Sequence, residues 1–91
     1  MNRIDELTID KVRDAAGIVD VVSDFVQLRR SGREYEGLCP FHGDKNLGSF
    51  KVSPAKNICT CFSCQESWDP VGFVMKAEGL TFPDSIRWLA K

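Results

Sequence analysis

The sequence predicts an α+β fold, a small antiparallel ribbon flanked by short helices at both ends, and three patterns carry that expectation. Apolar residues recur at helical spacing before Val26 and after Asp69. Between Val26 and Cys61 they recur at every second residue. Two short-spaced pairs, Cys39-Pro-Phe-His42 and Cys61-Phe-Ser-Cys64, stand at the expected strand ends.

Taken in order, Thr8 is placed to cap a helix running through Ile9, Val12, Arg13 and Ala16, with Gly17 positioned to stop it. A second short helix carries Ile18, Val21, Val22 and Phe25 on one face. Val26, Leu28, Tyr35, Gly37 and Cys39 alternate on either side of Ser31-Gly32, which predicts a hairpin. Phe50 and Val52 mark a third strand, Ser53-Pro54-Ala55-Lys56-Asn57 a turn, and Ile58 to Cys61 a fourth strand. Asp69-Pro70 then opens a helix with Val71, Val74 and Met75 on one face, and Gly79 ends it. Thr81 caps a last helix whose stripe is Phe82, Ile86, Leu89 and Ala90, with Pro83 in its first turn. That helix is expected still to be running at Lys91, as in a module descended from something longer. Residues 1–91 are expected to be one domain: a helical lead-in over 1–25, a ribbon over 26–64 and closing helices over 65–91.

The chemistry lies in the two pairs. A tight turn at each would let three thiolates and one imidazole converge tetrahedrally, and that donor set suits Zn²⁺. With Cys39, His42, Cys61 and Cys64 all bound, no position is left for water or substrate, so a structural zinc is expected and zinc hydrolysis is not. Two rival readings are a pair of buried thiols beside a chance histidine, and a disulfide framework. The second leaves His42 unused, and Met1-Asn2-Arg3-Ile4-Asp5 carries no apolar export segment, so the cytoplasm is the expected compartment. At 91 residues a core alone is marginal, and a metal staple helps. No apolar run is long enough to span a bilayer.

The net charge of −1 hides a segregation. Residues 1–26 hold 6 acids and 3 bases, residues 27–64 hold 3 and 6, and residues 65–91 hold 4 and 3. The basic middle contains both ligand pairs, and such a local excess attracts phosphate. A solvated face is the competing account of the same bases, and so is compensation of the zinc site, which carries −1 once three thiolates bind Zn²⁺.

The run Tyr35-x-Gly-Leu-Cys-Pro-Phe-His42, then Ser49-Phe50-x-Val52, Cys61-Phe62-x-Cys64 and Phe73-x-Met75, strongly resembles the amino-terminal zinc-binding domain of bacterial DnaG-type DNA primases, the CHC-type zinc finger family. The likeness extends over nearly the whole chain, from the opening Ile9 to Phe25 to the closing Gly79-Leu80-x-Phe82-x-x-Ser85-Ile86-x-Trp88-Leu89-Ala90. It implies a zinc ribbon that contacts single-stranded template DNA while a separate polymerase domain, in cis or in trans, makes an RNA primer in DNA replication. Other replication proteins of a primosome are further implied partners. One structural Zn²⁺ on Cys39, His42, Cys61 and Cys64 is implied, with Cys59 outside the set. Strand parity puts Cys59 on the same side as Cys61, as a small buried hydrophobe.

Single strands are held by cations along the phosphates and by rings on which bases stack. Arg29, Arg30, Arg33, Tyr35, Lys45, Phe50, Lys51 and Lys56 are the candidates, with a place in the core as the competing reading of Phe50 and Tyr35, and Tyr35 is expected to share a strand face with Arg33. Phe41 and Phe62, inside the pairs, are expected to pack around the metal. Two departures from the family pattern stand out: Gln65-Glu66-Ser67-Trp68 replaces a glycine-rich turn, and Lys45-Asn46-Leu47-Gly48-Ser49-Phe50 is one residue longer than the usual run and lacks its proline. Trp68 is expected to be partly buried. The acids of residues 1–26 are spaced along helices and form no Mg²⁺-binding cluster, so no catalytic centre is expected in this chain. The alternative reading is a stand-alone zinc-ribbon module that docks a protein through Trp68, Trp88 and the final helix.

Overall fold

The structure is a computed structural model, and it describes residues 9, 11–12, 15–41 and 49–90. The expectations for Thr8, Arg13, His42, Lys45, Asn46, Leu47, Gly48 and Lys91 fall outside those residues. Five strands form one antiparallel sheet in the order of the chain: β1 Arg29–Ser31, β2 Glu34–Gly37, β3 Phe50–Ser53, β4 Ile58–Cys61 and β5 Glu66–Trp68. Three helices complete it: α1 Ile18–Ser23, α2 Pro70–Glu78 and α3 Phe82–Leu89. Ile9, Lys11, Val12 and Ala15 are also helical, ahead of α1. The expected ribbon with helices at both ends is therefore what the chain forms.

A meander has two kinds of end. The β1–β2 and β3–β4 turns lie at one end of the sheet, and the β2–β3 and β4–β5 connections lie at the other. Register then separates two faces. Tyr35, Val52, Cys59 and Trp68 lie side by side across β2 to β5, and Gly37, Phe50, Cys61 and Glu66 form the next row on that face. This face turns towards the helices, and Phe50, Val52, Cys59 and Cys61 are fully buried on it. Arg29, Glu36, Lys51, Thr60 and Ser67 make a polar row on the opposite face.

The core joins Ile18, Val21 and Val22 of α1 to Phe73 and Val74 of α2 across the inner strands. Phe73 is its hub. Its ring centroid lies 5.5 Å from Phe25, 5.4 Å from Phe41 and 6.5 Å from Phe50. Trp88 stacks on Phe25 at 5.7 Å, so a chain of rings runs from α3 to the first ligand loop. Full burial of a side chain of this size stabilises by about 1.5–3 kcal/mol.

The caps follow the sequence closely. Asp69 accepts from the Gly72 N–H at 2.7 Å, and Pro70 occupies the first turn, where its missing donor costs nothing. At the other end Gly79 adopts φ 65°, and the Leu80 N–H donates to the Met75 carbonyl at 3.0 Å. Thr81 accepts from Asp84 N at 3.3 Å to start α3.

Several expectations need correction. Gly17 does not end a helix in a left-handed conformation; with φ −88° and ψ 127° it is the extended residue that begins α1. The first hairpin turns at Gly32-Arg33, because Ser31 pairs with Glu34, and Gly32 supplies the positive φ of 64° that a two-residue loop demands of its first residue. Gln65-Glu66-Ser67-Trp68 is not an irregular replacement for a turn: after Gln65, at φ 58°, it forms β5. The last helix stops at Leu89, with Ala90 as its exposed cap and not part of the apolar stripe.

Gly37 is fixed by close packing. A Cβ there would lie 2.9 Å from Val26 Cγ1 and 3.0 Å from the Gln27 carbonyl oxygen, so the segment entering β1 can cross β2 only over a glycine.

Candidate metal centre and nucleic-acid interface

Cys39 follows β2, Cys61 ends β4 and Cys64 lies in the β4–β5 turn, all at one end of the sheet. Their Sγ atoms lie within 4.8 Å of one another, and Cys39 Sγ is 3.9 Å from Cys64 Sγ. Ligands about 2.3 Å from a tetrahedral zinc stand about 3.8 Å apart, so the three sulfurs are arranged to hold a zinc ion. Cys39 and Cys61 are buried and Cys64 is half-buried.

Each loop folds its own backbone onto its first sulfur. The Cys64 N–H points to Cys61 Sγ at 3.3 Å, and the Ser63 N–H also bonds that thiol. The Phe41 N–H does the same for Cys39. Burial opposes ionisation at Cys61, but the N–H groups of Cys64 and Ser63, with the neighbouring thiols, outweigh it and hold this thiol below its usual range. Burial, reinforced by the adjacent sulfurs, pushes Cys64 up to about 12. Cys39 is also raised, chiefly by burial. Three neighbouring thiols resist ionising together; a divalent cation removes that resistance because it binds the thiolates.

Cys59 belongs to a different environment. It is fully buried in β4, paired with Trp68 of β5, and burial pushes its thiol up to about 12. It is absent from the sulfur cluster: it shares a face with Cys61 but stands two residues further along β4 from the end where the three sulfurs meet.

Among the described residues, those expected to meet nucleic acid do not form one patch. Phe50 is fully buried against Phe73, so its ring belongs to the core and offers no surface to a base. Tyr35 is half-buried on the helix-facing side, and its partner is Arg30, not Arg33: Arg30 pairs with it across β1–β2, and its guanidinium lies 5.7 Å from the ring centroid. Arg33 is exposed in the first turn and Lys56 in the β3–β4 turn, both at the end of the sheet remote from the sulfurs. Arg29 and Lys51 share the outer face with Glu36 between them. Glu36 is bound by the Arg29 guanidinium and lies 3.8 Å from Lys51 Nζ. The Arg29 hydrogen bond holds the Glu36 carboxyl below its ordinary 4.5 against the opposing effect of burial, with Lys51 assisting.

Two aromatic expectations divide. Phe41 packs inward, edge-on to Trp68 at 4.9 Å, and Lys76 Nζ lies 5.3 Å from its ring centroid and 5.9 Å from that of Trp68. Phe62 does not pack around the metal: it is 62% exposed. Trp68 and Trp88 are both half-buried and engaged with rings of the chain itself, which leaves little of either for docking a partner.

Among the described residues no helix is long and apolar enough to cross a membrane. The CHC2 zinc finger model of DnaG zinc ribbons matches residues 4–91. The chain is 49% identical over 90 residues to a DNA primase of Listeria monocytogenes, an alignment that covers 99% of this chain and 14% of that protein. It is 47% identical over 89 residues to a DNA primase of Geobacillus stearothermophilus, covering 98% of this chain and 15% of the relative. The chain thus spans about a seventh of the length of these relatives. Among solved structures, the zinc-binding and RNA polymerase domains of the Aquifex aeolicus primase superpose with a TM-score of 0.85 at 38% identity, over 91% of this chain and 20% of that one. By its family match, its relatives and its sulfur cluster, this chain is a zinc-binding domain of the primase type and belongs to the CHC2 zinc finger family.

Proposed function

We propose that residues 1–91 act as one unit that contacts single-stranded template DNA and presents it to a primase polymerase domain lying outside them, in cis or in trans. Primer synthesis is the activity this unit serves, in the cytoplasm and alongside other replication proteins. His42 completes the zinc set: in the sequence it lies three residues beyond Cys39 and directly follows Phe41, whose N–H turns onto the Cys39 sulfur. The zinc is structural and holds both loops at one end of the sheet.

The observation that carries this reading is the sidedness of the sheet. Its inner face is spent on the core, whereas Arg29 and Lys51, with Glu36 between them, stand with Thr60 and Ser67 on the opposite, outer face. Cations on such a face track phosphates, and the released counterions make affinity fall as salt rises. Fluorescence anisotropy with a labelled mixed-sequence single strand tests it. Binding at low salt that weakens steadily with added salt is the expected result, and an absence of binding at low salt would overturn the reading.

A further inference from the structure

The ring of Phe62 is exposed, and its position on the sheet is defined. The Phe62 N–H donates to the Ser49 carbonyl at 2.7 Å, which extends the β3–β4 ladder one pair beyond Phe50 and Cys61. Alternation along β4 then puts Phe62 on the same side as Thr60, the outer face, and its 62% exposure agrees. Thr60 pairs with Lys51, so Phe62 is a diagonal neighbour of that lysine, about 7–8 Å away across the ladder. Arg29 lies two strands beyond Lys51 on the same face, about 10 Å further at the usual strand spacing. Its backbone lies between Cys61 and Cys64, so a metal that orders that turn fixes the point from which the ring projects.

We propose that Phe62 is a base-stacking platform at the metal end of a single-strand track, with Lys51 and then Arg29 holding the phosphates of the neighbouring nucleotides. The inference rests on the template-binding reading above and names its contact. An exposed ring beside a row with surplus positive charge suits a nucleobase joined to phosphate, because the apolar face and the cations are then both used. Stacking is tolerant of base identity, so the platform fixes the strand's position without selecting its sequence.

The test compares two labelled strands of equal length, one of mixed sequence and one abasic throughout, on the zinc-loaded 91-residue chain and on Phe62→Ala, Phe62→Trp and Lys51→Ala. Phe62→Ala is expected to weaken the mixed-sequence strand by roughly 5- to 100-fold and leave the abasic strand unchanged, while Phe62→Trp keeps or improves affinity. Lys51→Ala is expected to weaken both strands and to flatten the salt dependence. Equal affinity of Phe62→Ala and the unsubstituted chain for the mixed-sequence strand would overturn the platform alone. An unsubstituted chain that bound neither strand would overturn the template-binding reading and the platform with it.

Discussion

Asn57 caps α1 from a distance of 39 residues: its Oδ1 accepts from the Ile18 N–H at 2.9 Å while its Nδ2 donates to the Ala16 carbonyl at 3.1 Å. Gly17, the residue that begins the helix, has no side chain to do this. The β3–β4 turn therefore supplies the cap and joins the ribbon to the helical lead-in. Asn57 achieves this in a left-handed conformation, φ 56°, that asparagine tolerates better than most residues.

Asn57→Ala removes the cap and leaves a left-handed alanine, so a loss of about 1–3 kcal/mol in urea unfolding is expected. Asn57→Gly relieves the backbone but not the lost cap, and should fall between the two. If Asn57→Ala unfolded at the same urea concentration as the parent chain, the cap would carry no stability.

His42 and Cys59 should behave oppositely towards the metal. His42→Ala is expected to lower zinc affinity strongly, whereas His42→Cys restores a four-ligand site; competition with a colorimetric chelator reads both. Cys59→Ser should bind zinc as tightly as the parent yet lose about 1–3 kcal/mol of stability, because a hydroxyl replaces a thiol in a fully buried apolar position. Weakened zinc binding in Cys59→Ser would place that sulfur in the site.

Glu36 gives the pH dependence. Its carboxyl titrates below the ordinary 4.5 in the folded chain, so the stability it contributes is fully present above that value and is lost as pH falls through the folded pKa. Carbon-detected NMR should find its midpoint below 4.5, and Arg29→Ala should move it upward, since the Arg29 hydrogen bond is the leading cause of the shift. A midpoint unmoved in Arg29→Ala would contradict the pairing. Glu36→Gln should also tighten single-strand binding, because it frees Arg29 and Lys51 from a shared anion.

What was legible in the sequence depended on how local its cause is. The caps of α2 and α3 are written in Asp69-Pro70, Gly79 and Thr81, whose partners lie within a few residues, and the structure has them. The sulfurs were legible because two short spacings leave few ways to arrange them. β5 was hidden: Glu66-Ser67-Trp68 is too short to show alternation, and it is a strand because β4 offers it an edge. The Asn57 cap depends on a contact across 39 residues and has no local signal. Phe50, open between surface and core in the sequence, is buried, and Phe62, expected to pack inward, is exposed, for one reason. Both are aromatic residues near the metal loops, and only the cross-strand register decides that one faces the helices and the other the outside.

The central claim is that zinc shapes a surface for single-stranded DNA. Anisotropy of one labelled mixed-sequence strand, followed as the zinc-loaded chain is stripped with a chelator and then resupplied with zinc, tests it most directly. The account predicts binding that is lost on stripping and recovered when one equivalent of zinc returns. Binding that survived complete removal of the metal would contradict it.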